Sequence, residues 1–196
     1  MFDNNKDYFD IAKKYQNNGI SCLSILTDEK FFKGSDSDLV GIREIIDIPI
    51  IRKDFILDPY QLYESKKLGA DCILLILSMI DINLAKDLEA EAMDIGLDVL
   101  IETHNEKEME NALTMKSELV GVNNRNLNDF TVDIDNTISL TNASFSDKIY
   151  VSESGIKSRS DINYILDKSP ARTFLVGESL MRSKKIEEQI RTLLSN

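Results

Sequence analysis

The sequence is poor in cysteine and proline, has one histidine and contains no long apolar run. Its two cysteines, Cys22 and Cys72, sit in apolar, strand-like stretches without metal-ligand spacing. They are expected to be buried free thiols, which suits a reducing cytoplasm and argues against a disulfide. The single histidine, His104, has no second histidine or cysteine placed to share a metal, so a polar strand terminus accounts for it. The longest apolar run, Cys72 to Leu77, falls far short of the roughly 20 residues that span a bilayer. The acidic, polar start from Met1 to Asp10 is unlike a secretory signal, which opens basic and turns apolar. Basic charge is also in deficit, with 34 Asp and Glu against 23 Lys and Arg. Without a dense basic cluster, nucleic acid and anionic membranes are excluded as expected partners. The three prolines fall at element boundaries and no low-complexity linker divides the chain, so residues 1–196 read as one domain.

What is present is a strand followed by a helix, repeated. Apolar or β-branched runs start near Ser21, Pro49, Cys72, Asp98, Leu119, Ile149 and Arg172, spaced 21 to 30 residues apart. The segments between them carry apolar residues at helical spacing, such as Leu84, Leu88, Ala92 and Ile95, or Ile162, Ile165 and Leu166. An opening helix from about Asp7 to Asn17 precedes the first run. Strands that alternate with helices imply a parallel sheet, because parallel neighbours need a long crossover. No GxGxxG follows the first strand, which disfavours a doubly wound dinucleotide-binding sheet. The expected fold is α/β, a (β/α)8 TIM barrel. At 196 residues it is short of the roughly 250 typical of that fold, and seven of eight strands are expected.

Charge interrupts these strands at their C-terminal ends. Lys53 closes PIIRK, Glu102 follows VLI, Asn123 follows VGV and Glu153 follows VS. In a parallel barrel that end is the face on which active sites are assembled. One such residue alone reads as a solvated strand end. Repeated on four strands, the pattern points to a shared site, in which a lysine between two glutamates is the arrangement that tolerates burial. The same proximity supplies acid and base groups.

Ser154-Gly155 and Gly177-Glu178-Ser179 end the last two strands, where barrels hold phosphate on backbone N–H groups. Each glycine alone reads equally well as a tight turn; together they favour a phosphorylated small-molecule substrate. Arg125, in NNRN, suits either a substrate carboxylate or a surface ion pair. Phe31, Phe32, Leu127 and Phe130 follow strands and would wall a flat ring, or else cap the core.

The strings SILTDEKFFKGS (24–35), IPIIRKDFILDPYQ (48–61), LIETH, GVNNRNL (121–127), VSESGI (151–156) and FLVGESLMR (174–182) resemble those of the indole-3-glycerol phosphate synthase family. The resemblance implies a lyase of tryptophan biosynthesis. It would convert 1-(2-carboxyphenylamino)-1-deoxyribulose 5-phosphate into indole-3-glycerol phosphate, carbon dioxide and water, with neither metal nor organic cofactor. By resemblance, Lys53 is the general acid on the ribulose carbonyl and Glu102 the acid/base carboxylate in dehydration. Asn123 and Arg125 position the substrate, Phe32 and Leu127 line the anthranilate pocket, beside which Phe130 of the apolar wall is expected, and Glu153 is an active-site glutamate. Ser154, Gly155, Gly177 and Glu178 hold the phosphate, the last two through a backbone amide.

Two departures from the family pattern accompany this likeness. Asn126 stands where an acidic residue is usual after the arginine. The helical extension and first strand, with a Glu-x-Lys-x-x-Ser-Pro-Ser type motif, are absent, so the chain is expected to be an N-terminally shortened barrel. Seven strands do not close with the geometry of eight, and the open edges would invite self-association or complementation by a strand. Very low or absent turnover of the chain alone is the corresponding expectation. The alternative is a catalytically silent remnant that binds a sugar phosphate or a partner chain.

Overall fold

The structure is a computed structural model and describes residues 7–143 and 147–195. Helix α1 (Tyr8–Asn17) opens it, capped by the Asp7 carboxylate, which accepts the N–H groups of Phe9 and Asp10. Seven strands follow: β1 (Leu23–Leu26), β2 (Ile50–Lys53), β3 (Cys72–Ile76), β4 (Asp98–Thr103), β5 (Leu119–Asn123), β6 (Ile149–Glu153) and β7 (Thr173–Leu175). Between them run α2 (Asp36–Arg43), α3 (Tyr60–Leu68), α4 (Ile82–Asp94), α5 (Glu106–Leu113), α6 (Asp135–Asn142) and α7 (Arg159–Lys168). The short α8 (Glu178–Arg182) and then α9 (Ile186–Leu194) follow β7.

Every neighbouring pair of strands is parallel, and the sheet order is the chain order, β1 to β7. This is the topology of an incomplete (β/α)8 barrel: a curled sheet whose edges, among the described residues, are β1 and β7. Each expected strand run contains one observed strand. Among the described residues, no helix is long and apolar enough to cross a membrane.

The period of two along each strand separates two apolar layers. Ile50, Ile73, Leu75, Val99, Ile101, Val120, Val122 and Tyr150 face the helices and join the main core. Their alternates Ile51, Cys72, Leu74, Leu100 and Val151 form a second cluster on the concave side. Continuing that alternation, Lys53, Glu102, Asn123 and Glu153 lie on the concave side at the strands' C-terminal ends. Arg52, one residue before Lys53, therefore faces the helices. It is 3% exposed there, bonded to Thr27, Ser65, Glu64 and Asp36 and within 3.2 Å of Asp54. Three carboxylates around one guanidinium tie β2 to α2 and α3, and loss of the cation would leave them unbalanced.

One expectation fails. Cys72 is buried and free, but Cys22 is exposed, because β1 begins at Leu23, two residues after the expected start, and leaves Cys22 in the connection before it.

Candidate functional site

The four polar strand ends meet. Lys53 Nζ donates to Glu102 Oε2 at 3.1 Å and to Glu153 Oε2 at 3.2 Å, linking β2, β4 and β6 through one ammonium. Asn123 Nδ2 donates to Glu102 Oε1 at 3.0 Å, while Asn123 Oδ1 accepts the N–H of Arg125. Strand register brings them close, since Glu102 is paired with Gly121 and Asn123 with Glu153. The Lys53 side chain is 19% exposed, those of Glu102 and Glu153 only 3% and 2%.

Such burial would be prohibitive for an isolated charge; here the charges compensate one another. Burial pulls the Lys53 pKa down, but Glu153 and Glu102 outweigh it and hold the ammonium above its ordinary range. The two glutamates diverge. Burial pushes Glu102 up, yet His104, Lys53 and Asn123 together bring it well below the usual carboxylate range. Burial also pushes Glu153 up, the Lys53 ammonium draws it down, the Glu102 carboxylate raises it again, and it ends at about 7. The difference follows from the donors: Glu153 Oε1 is buried without a hydrogen-bond partner.

Space for Glu153 comes from Gly121. A Cβ there would overlap Glu153 Oε1, so a glycine inside a central strand, otherwise a weakening choice, is dictated by its neighbour. Sequence reasoning quoted the VGV string without assigning this role.

The turn after β6 is the most constrained backbone near the site. Ser154 and Gly155 both have positive φ, 66° and 85°. A Cβ at Gly155 would stand 2.7 Å from Val132 Cγ1. Buried Asn124 holds this turn: its Nδ2 donates to Ser152 Oγ and to the Ser154 carbonyl, and its Oδ1 accepts from Thr137 of α6. Asn124 was missed from sequence, where it reads as one more polar residue of NNRN. Gly177 precedes α8, and Ser179 Oγ donates to the Ile156 carbonyl, joining the two glycine loops. Open space surrounds the Cβ position of Gly177, so packing does not require glycine there.

Arg125 Nη2 meets Glu178 Oε2 at 3.0 Å, and Glu178 Oε1 also pairs with Arg182 at 2.8 Å. The Glu178 side chain thus belongs to an arginine cluster. Asn126 accepts from the N–H of Asn128 and does not hold Arg125. Phe32 stacks on Phe55 at 5.5 Å, and Phe31 meets the same ring edge-on at 5.7 Å. Phe55, not singled out from sequence, is the centre of this aromatic group. Leu127 and Phe130 stand exposed on the loop after β5, Phe130 with φ of 60°.

Comparison with known proteins bears on this arrangement. The family model described as indole-3-glycerol phosphate synthase matches residues 1–193. An indole-3-glycerol phosphate synthase of Polynucleobacter necessarius is 48% identical over 89% of this chain and 65% of the relative. One of Azospirillum brasilense is 45% identical over 94% of this chain and 70% of the relative. The chain thus spans about two thirds of the length of these relatives. In fold alone, a thiamine phosphate pyrophosphorylase from Pyrococcus furiosus superposes with a TM-score of 0.72, at 12% identity, over 96% of this chain and 88% of the other. With a match along nearly its whole length and relatives at this identity, the chain belongs to the indole-3-glycerol phosphate synthase family.

Proposed function

We propose that the chain acts as a carboxy-lyase in tryptophan biosynthesis. In this reading it closes and decarboxylates 1-(2-carboxyphenylamino)-1-deoxyribulose 5-phosphate to indole-3-glycerol phosphate, releasing carbon dioxide and water. The observation that carries the reading is the Lys53 ammonium set between two buried glutamates at 3.1 and 3.2 Å. A buried proton donor flanked by two carboxylates in opposite protonation regimes suits a reaction that needs acid and base in turn.

As the new carbon–carbon bond closes on the ribulose carbonyl, its oxygen becomes strongly basic and takes a proton from Lys53. The carboxylate then leaves as carbon dioxide and its electron pair returns to the ring. In the dehydration that follows, the hydroxyl takes a proton from Lys53, which Glu153 has reprotonated, and departs as water, while Glu102, held ionised, accepts the proton lost from the substrate. Glu153, with a pKa of about 7, exchanges protons with Lys53 between these steps. Asn123 fixes Glu102, and Arg125 engages the substrate carboxylate. Phe32, Leu127 and Phe130 flank the aromatic ring. Backbone N–H groups of Ser154, Gly155, Gly177 and Glu178 receive the phosphate. The free thiols Cys22 and Cys72 accord with a cytoplasmic setting.

Single-turnover conversion with protein in excess, followed by the rise of indole fluorescence, tests this. Lys53→Met should lower the rate by roughly 10²-fold to 10⁴-fold. Equal rates for the two chains would overturn the assignment.

A further inference from the structure

His104 lies just beyond β4, two residues after Glu102 and on the same face, and its surroundings are more specific than a solvated strand end requires. Its ring bridges two carboxylates. Nδ1 is 3.1 Å from Glu108 Oε2 and Nε2 is 3.2 Å from Glu102 Oε1. The second approach is oblique and acts through charge rather than as a directed hydrogen bond, which leaves Nε2 without a hydrogen-bond partner. Both ring nitrogens face carboxylate oxygens, and a neutral ring would turn a lone pair toward one of them. The arrangement fits an imidazolium.

The bridge is anchored at its outer end. Glu108 Oε2 also accepts the His104 backbone N–H at 2.8 Å, and Glu108 Oε1 accepts from Asn105 Nδ2. Asn105 in turn caps α5 by accepting the Glu108 N–H. From α6, Asn136 Nδ2 reaches the carbonyls of His104 and Asn123. The helix start is therefore rigidly tied to the ring, and the ring to one oxygen of Glu102.

We propose that His104 is a positioning residue for Glu102: with Asn123 it immobilises Oε1, so that Oε2 alone is presented to Lys53 and the substrate. This rests on the reading of Glu102 as the acid/base carboxylate. Charged groups bear on the ring from its own strand, through Glu102, and from α5, through Glu108; β5 and α6 contribute the neutral amides of Asn123 and Asn136. Lys53 and Glu153 act on it only by way of Glu102. Burial disfavours the imidazolium, but the two carboxylates outweigh that and push its pKa up to about 9.

His104 is the single histidine of the chain, so its ring Cε1–H proton resonance needs no assignment. In the full chain that resonance should stay at its imidazolium position through pH 8, and Glu108→Gln should lower the midpoint. A midpoint near the ordinary 6.5 in the unaltered chain would overturn the proposal. In His104→Gln, the carbon-13 carboxyl signal of Glu102 should titrate with its proton affinity raised about tenfold. An unchanged Glu102 titration would overturn it as well. Both readouts are independent of turnover and remain decisive if the proposed reaction fails. Where turnover is measured, His104→Gln should reduce kcat about tenfold with KM within twofold, and the acid limb of its pH profile should move upward. An unaltered kcat and profile would refute the positioning role.

Discussion

Replacing Glu153 by glutamine gives a measurable account of what the buried carboxylate costs. Its side chain is 2% exposed, one oxygen meets Lys53 and the other has no partner. Its pKa rises from an ordinary 4.5 to about 7 in the folded chain, chiefly through burial. The folded state therefore holds a proton that the unfolded chain has already released between those values. For a group with a raised folded pKa, the stability it contributes is complete below 4.5 and is lost as pH climbs through about 7. At roughly 1.4 kcal/mol per tenfold change in proton affinity, the loss approaches about 3 kcal/mol by pH 8. Glu153→Gln removes the ionisation. The amide leaves an N–H unpartnered beneath Gly121, a penalty of about 1–3 kcal/mol that does not depend on pH. The readout is thus the change between two pH values. Urea unfolding followed by circular dichroism at pH 5 and pH 8 should show the parent losing about 2–3 kcal/mol more than Glu153→Gln over that interval. His104 contributes stability below its ordinary 6.5 that is lost toward about 9, but it is common to both chains and cancels. Equal pH dependences in the two proteins would refute the reasoning.

Two further substitutions probe the backbone that shapes the site. Gly121→Ala should expel the Glu153 carboxylate from beside Lys53 and abolish turnover; a parent-like rate would show that Glu153 need not stay there. Gly155→Ala places a Cβ 2.7 Å from Val132 Cγ1 in a residue with φ of 85°, and should cost about 1–2 kcal/mol of stability from conformation alone. It should also weaken inorganic phosphate binding, read from amide shifts at residues 155 and 177, and unchanged binding would remove Gly155 from the phosphate site.

Much of this architecture was legible because a parallel sheet writes itself plainly. Strands covered on both faces read as continuous apolar runs, and a charge at the end of such a run has few places to go. That logic located Lys53, Glu102, Asn123 and Glu153 without knowledge of which strands adjoin. It gave no role to Arg52, although Arg52 stands inside the same run as Lys53. Only the alternation of faces separates a residue aimed at the concave side from one embedded among Thr27, Asp36, Glu64 and Ser65, and those partners are scattered along the sequence. Glu89 failed to show for a related reason. On an amphipathic helix a glutamate reads as solvated, whereas here it is 2% exposed and accepts the N–H of Ser117, a tertiary contact with no local signature. His104 was weighed as a metal ligand and set aside for want of a second histidine or cysteine. Its actual partners are carboxylates two residues before it and four after it, across a strand end and a helix cap.

The unequal treatment of two identical side chains follows from that geometry. Glu102 and Glu153 share Lys53, come from parallel strands separated only by β5, and are equally shielded from water. What separates them is the supply of donors. Glu102 receives Asn123 and the His104 charge on the oxygen that Lys53 leaves free, because β5 ends in an amide and the first turn of α5 carries Glu108, whose carboxylate holds the ring. The corresponding oxygen of Glu153 faces the hydrogens of Gly121, which offer nothing to an anion. Glycine at one position of β5 and asparagine two residues later on the same face, with the His104 charge on Glu102 and the burial of Glu153, thus fix one carboxylate as an anion and leave the other able to take up a proton near neutrality.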